Sequence, residues 1–340
     1  MNATADAPGH VLLFGAAEPT GLRLALPLPL RVRARVRFAD DGVFRVRLLP
    51  SGTATPEVAV PFDMLLPPTG HPEYASIRDL FGRWVGGALG ARVLGGIVLL
   101  GRERRAVLDR AAAVGIEADL PADREWGFEA ALEVASLKAI LRAYGASLPD
   151  REVARLAFRI ERLIAGGDGD LAERLVAVCA APGSILPVQG EAPGRPVPIP
   201  EGVAFLVLAN DGGGVRSGKV PREGGEEGGE SRARSFLEAL GRIEGTGARG
   251  ALQGLGSALR ESHASLAAVG RTDPAGDALV AALDRLGPAR GVFGARASGR
   301  NGTGPVVALV DGAGECAVRD LLAGASPFRL GCRVGQPGPS

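Results

Sequence analysis

Residues 121–135 read P-A-D-R-E-W-G-F-E-A-A-L-E-V-A and continue as S-L-K-A-I-L-R-A-Y-G at 136–145. Leu132, Leu137, Ile140 and Leu141 recur near helical spacing, and Ala and Glu favour the conformation. The second half therefore predicts a helix running to about Tyr144 and stopped by Gly145. Upstream, Val114, Ile116 and Ala118 mark a strand at 114–119, so the order is strand, loop, helix. A loop entering a helix N-terminus is suited to an anion, because the helix end carries partial positive charge and free backbone N–H groups. This loop instead carries Asp123, Arg124 and Glu125, with Glu129 in the first helical turn.

The same stretch resembles the phosphate loop of galactokinase-like sugar kinases of the GHMP superfamily, P-x-G-x-G-L-S-S-S-A-A-L-E-V-A, and matches it completely from Ala130 to Ala135. Residues 7–15, A-P-G-H-V-L-L-F-G, are similar to that superfamily's opening motif A-P-G-R-V-N-L-I-G-E-H-x-D-Y. Further on, 259–266 keep the E-S-H-x-S-L of a helical motif. Residues 294–305, G-A-R-A-S-G-R-N-G-T-G-P, resemble G-A-R-M-T-G-x-G-x-G-G-C. The segment after 150–164 aligns with R-x-E-x-x-V-G-x-P-C-G-x-M-D-Q, retaining Arg159, Glu161 and Gly169.

The resemblance implies an α+β, two-domain GHMP kinase fold. An N-terminal α/β domain with a mixed sheet would span 1–198, a C-terminal ferredoxin-like domain 199–340, and ligands would bind in the cleft between them. It further implies ATP and Mg2+ as cofactors if the protein is active.

Departures from the family pattern fall on its functional positions. Asp123 and Glu125 stand for glycines, and Gly127, Phe128 and Glu129 stand for the serines. His10 replaces an arginine that aids phosphoryl transfer, while Ala16, Ala17 and Pro19 replace the glutamate, histidine and aspartate of the opening motif. Ala172 stands at the catalytic aspartate, whose work needs a carboxylate. Glu173, next in the chain, is the nearest substitute, although a neighbouring helix residue points elsewhere. Two unit charges about 4 Å apart repel by roughly 4 kcal/mol at an effective dielectric near 20, enough to oppose nucleotide binding unless Arg124 compensates. The candidate catalytic residues are Glu173 and His10. The candidate phosphate-site residues are Arg124, Gly127, Glu129, Gly299 and Gly304, and no metal-ligand set stands out.

Elsewhere, 31–48 alternate with period two around Asp40-Asp41-Gly42 and predict a hairpin, with Arg31, Arg33, Arg35 and Arg37 on one face and Arg45 and Arg47 opposite them. With few aromatics interleaved for base stacking, these arginines read as a solvated face. Residues 75–101 and 150–164 read as helices, the latter ending at Gly166-Gly167. Trp126 reads as a plug for a hydrophobic gap. Residues 211–230, D-G-G-G-V-R-S-G-K-V-P-R-E-G-G-E-E-G-G-E, hold too little apolar matter for a core and read as a mobile loop. Ser262 and His263 have no acid at hydrolase spacing, and no G-x-S-x-G elbow is present.

The chain of 340 residues is 46% hydrophobic with a formal net charge of +1, which suits a soluble two-domain protein and gives no global reason to expect nucleic acid or an anionic membrane. Cys179, Cys316 and Cys332 form no C-x-x-C pair and suit a reducing cytoplasm. The longest apolar run is too short to span a bilayer. Two functional expectations remain. One is a pseudokinase that binds a sugar metabolite or a protein partner. The other is an active ATP-dependent kinase acting on the anomeric hydroxyl of a monosaccharide.

Overall fold

The computed structural model describes residues 2–15, 21–49, 57–103, 105–121, 125–210, 228–243, 248–299, 304–323 and 328–335. The chain forms two compact units, one of Met1–Gly9, Leu30–Ala122 and Gly127–Cys179, the other of His10–Pro29, Asp123–Trp126 and Ala180–Ser340. The expected α+β class with two domains is what the structure has.

Strands β1 (Asn2–Gly15) and β2 (Leu22–Ala39) pair with each other. In the first unit they are followed by β3 (Val43–Leu49), β4 (Val58–Pro61), α1 (Phe62–Leu65), α2 (Tyr74–Gly82), α3 (Gly87–Arg102) and β5 (Ala111–Ala118). Helices α4 (Phe128–Ala143), α5 (Asp150–Arg159) and α6 (Leu171–Cys179) complete it. The strand order is β4-β3-β5-β2, with β3 parallel to β5 and the other two pairs antiparallel. Val32, Ala34 and Val36 are buried while Arg33, Arg35 and Arg37 are exposed, as period-two alternation requires of a sheet covered on one face. Helix α4 is buried on nearly every side, consistent with its continuous Ala, Leu and Val run.

The predicted hairpin is not formed. Asp40-Asp41-Gly42 does reverse the chain, with Gly42 at φ 70°, but β5 lies between β2 and β3. The register sets Arg35 and Arg47 on either side of Gly115, and Arg37 and Arg45 on either side of Ala113. Glu117 of β5 faces Arg35 at 3.0 Å and Arg33 at 3.8 Å, and Glu57 faces Arg45 at 3.3 Å and Arg47 at 2.5 Å. The arginine face is thus laced with its own acids. The helix expected over 75–101 is two helices, broken at 83–86, where Gly86 takes φ 78°. The helix expected to reach Ile164 widens into a π-helical turn, Ile160–Ala165, before Gly166 ends it at φ 73°.

The second unit continues with β6 (Ser184–Gln189), β7 (Ala192–Pro193), β8 (Val197–Pro198) and β9 (Ala204–Asn210). Then come α7 (Gly229–Gly241), α8 (Ala248–Ala268), α9 (Pro274–Leu286), β10 (Val292–Ala297), β11 (Val306–Val310), α10 (Gly312–Ala323) and β12 (Phe328–Val334). Its four-stranded sheet, β10-β11-β9-β12, is antiparallel throughout. Leu206, Leu208, Leu283, Val292, Val306 and Val318 share one core. Asp273 caps α9 by accepting from Ala275 N at 3.0 Å and Gly276 N at 2.9 Å, with Pro274 supplying a preset first helical residue. The expected loop over 211–230 lies outside the described residues except for 228–230, which open α7. Among the described residues no helix is long and apolar enough to cross a membrane.

Candidate functional site

In the second unit the end of the central loop is described from Glu125 onward, so Asp123 and Arg124 lie outside the described residues. Trp126 is fully buried, and its backbone oxygen accepts from the N–H of His10, itself a buried residue of β1, at 2.9 Å. Its indole packs on the backbone at Gly331, where an added Cβ would overlap the ring. Trp126 therefore fills a gap in the fold, as the sequence suggests. The carboxylate of Glu125 lies on Gly299, in the space a Cβ there would take. Gly304 donates its N–H to Ser298 O at 3.0 Å, and Ser298 N donates to Pro305 O at 2.9 Å, so the end of the glycine-containing turn folds back on its beginning. Residues 300–303 lie outside the described residues.

Behind that turn the preserved E-S-H segment of α8 is pinned to β10. The buried Arg296 donates from Nη1 to Ser262 Oγ at 2.5 Å and from Nε to Ala297 O at 3.1 Å, with its guanidinium 5.5 Å from the Phe14 ring centroid. His263 Nδ1 accepts from Ala297 N at 3.3 Å, which leaves Nε2 to face Asp277 Oδ1 at 3.1 Å. Burial lowers the His263 pKa, Asp277 opposes that shift and Arg296 adds to it. Ser262 is committed to Arg296 rather than to a histidine, so the pair has no nucleophile and base geometry. Their role is to fix α8 against the sheet.

In the first unit Gly127 caps α4 at φ 71°, a left-handed conformation that suits glycine, and no side chain caps this helix. Phe128 is buried and Glu129 is exposed in the first turn. Glu133, one turn further on, is wholly buried. Arg174 reaches it from α6, with Nε and Nη2 each 2.9 Å from Glu133 Oε2. The same guanidinium faces Glu173 Oε2 at 2.9 Å and Glu161 Oε2 at 3.5 Å, and donates to Asp170 O at 3.2 Å. From α3, Arg92 closes the network on Glu161 at 3.0 Å and on Glu133 at 3.5 Å. Gly167 and Gly169 make it possible: a Cβ at the first would overlap the Glu161 carboxylate, and at the second the Arg174 guanidinium.

Burial pushes the Glu133 carboxyl well above the usual carboxylate range; Arg174 opposes this, and a hydrogen bond with Glu161 adds to it. Glu173 and Gly127 are thus in one unit with Ala172, which is buried, while His10, Gly299 and Gly304 are in the other. Sequence reasoning did not single out Arg92 or Arg174. The signal was present, since a glutamate inside an Ala, Leu and Val run demands a buried cation.

These residues do not fit the magnesium that an active kinase would use. The carboxyl groups of Glu133, Glu161 and Glu173 are all turned to guanidinium groups, and among the described residues no three His, Cys, Asp or Glu side chains converge as an ion site. The loop end is no better suited to phosphates, with the Glu125 carboxylate on Gly299.

Residues 93–178 match the family model described as the GHMP kinases N terminal domain. No curated protein matches the chain. Among solved structures, Methanococcus jannaschii mevalonate kinase superposes with a TM-score of 0.73 at 15% identity, covering 99% of each chain. Streptococcus pneumoniae phosphomevalonate kinase gives 0.68 at 16%, covering 97% of this chain and 98% of that one. Lactococcus lactis galactokinase, complexed with galactose, gives 0.67 at 15%, covering 98% and 94%. At these identities the structures establish the fold, and the similarity to the family model is confined to residues 93–178.

Proposed function

We propose that this chain, a GHMP kinase superfamily protein by its residues 93–178 and by its fold, is a galactokinase-like member that binds a sugar metabolite or a protein partner without transferring phosphate. The observation that carries the reading is the pairing of Glu173 with Arg174 at 2.9 Å. Glu173 is the acid nearest in the chain to the position where Ala172 stands for the catalytic aspartate, and its carboxylate is turned to the neighbouring Arg174 guanidinium. Glu125 and Glu129 support the same reading, because each puts a carboxylate where phosphoryl transfer calls for donors.

The test is direct. ATP with Mg2+ is expected to leave the melting temperature unchanged, since a ligand that binds only the native state must raise it. A panel of hexoses and pentoses is expected to give no phosphorylated product. Turnover of any of them that disappears in Glu173→Ala would replace this reading with that of an active sugar kinase using Glu173 as base.

A further inference from the structure

Arg174 is the centre of an arrangement that a solvated side chain does not explain. Its side chain is 1% exposed, three carboxyl groups from three separate elements surround it, and the backbone of Asp170 supplies a fourth oxygen. Carboxylate oxygens are what a hard divalent ion takes as ligands, and those of α4, the π-helical turn and α6 are each turned to the Arg174 guanidinium instead. Here the positive charge is covalent. The glycine at 169 leaves room for the guanidinium and not for a side chain of its own.

We propose that the Arg174 guanidinium takes the place of a bound divalent cation, so that this chain does not hold Mg2+ through Glu133, Glu161 or Glu173. The inference goes beyond the loss of transfer proposed above, and the two can fail separately. A kinase could turn over with Arg174 in place, and a cleft without turnover could still bind a cation. The geometry explains why the acids stay together in the interior. Each lies within 3.5 Å of the Arg174 guanidinium, and Arg92 supports Glu133 and Glu161 from the other side. Removing Arg174 leaves the three acids with Arg92 as their remaining cation, and the space vacated among them is one that a small divalent ion can fill and a monovalent one fills less well.

The experiment uses Mn2+ as probe on the full chain without nucleotide, read by the loss of the free-ion electron paramagnetic resonance signal and by melting temperature. The unmodified protein is expected to show no saturable Mn2+ binding. Arg174→Ala is expected to melt roughly 2 °C or more higher in Mn2+ than in NaCl of the same ionic strength. That gain is expected to disappear when Glu161→Gln is added. Saturable binding by the unmodified protein that Glu161→Gln removes would overturn the proposal, as would a folded Arg174→Ala that responds equally to both salts. If Arg174→Ala does not fold in either salt, the titration of the unmodified protein decides alone: absence of binding supports the proposal and presence overturns it.

Discussion

The carboxylate of Glu125 occupies the space beside Gly299 that any side chain at 299 would need. Gly299 also has φ 87°, a left-handed conformation that costs an L-residue about 1–2 kcal/mol. Gly299→Ala therefore faces two separable penalties, backbone strain and overlap with Glu125. In urea unfolding it should lose about 2–4 kcal/mol in the native background. With Glu125→Ala also present, only the backbone part should remain, giving a coupling on the order of 1 kcal/mol. Additive effects of the two substitutions would show that the carboxylate does not rest there.

Glu133 gives a pH dependence whose sign is fixed by the direction of its shift. Burial raises its folded-state pKa above the unfolded value, so the native state binds the proton more tightly. Its contribution is fully present below the unfolded pKa and is lost as pH rises through the folded one. Glu133→Gln keeps the shape and an acceptor for Arg174 but removes the titration. The stability of the native protein relative to this variant should therefore fall steadily as pH is raised above about 4.5. Urea midpoints of the two that run parallel from acid to alkaline pH would count against a buried, proton-holding Glu133.

The three thiols should separate by reactivity. Cys316 is exposed, Cys179 is partly covered with burial raising its pKa, and burial pushes Cys332 up to about 12. Since the thiolate is the reacting form, Ellman's reagent near pH 8 should show one fast thiol, absent in Cys316→Ser. A fast phase that survives this substitution would mean that one of the other two is open to solvent.

Local patterns carried most of the fold. The α4 helix, its stop at Gly145 and the all-apolar strand β11 follow from spacing and composition alone, because each satisfies its own backbone or buries its own run. Strand neighbours do not have that property. The turn at Asp40-Asp41-Gly42 is local, but whether β3 lies beside β2 or β5 depends on a strand more than 60 residues away, and the period-two pattern suits either partner. The candidate site divides in the same way. Substitutions in the loop are visible as residue types, whereas Glu133, Glu161 and Arg174 are brought together only by helix packing. Glu173, named from the sequence as the nearest substitute for the missing aspartate, is partly buried in the structure and bound to Arg174.

Two glycines one half-turn apart on α8 should respond in opposite directions to the same substitution. At Gly256 an added Cβ would overlap the backbone oxygen of Phe293, and Gly294 on β10 meets the Gly256 backbone in return. Backbone lies against backbone, so no flexible side chain can move aside. Gly256→Ala should cost about 3 kcal/mol or more, because α8 must lift from the sheet. At Gly254 nothing lies within 4 Å of the added carbon. There the methyl group only removes the entropy that glycine gives the unfolded chain, and Gly254→Ala should gain roughly 0.5–1 kcal/mol. Urea unfolding of the two variants side by side measures both effects on one helix. A mild effect of Gly256→Ala would mean that α8 does not pack on β10 at backbone contact, and the pinning of Ser262 and His263 to that strand would then have to be reconsidered as well.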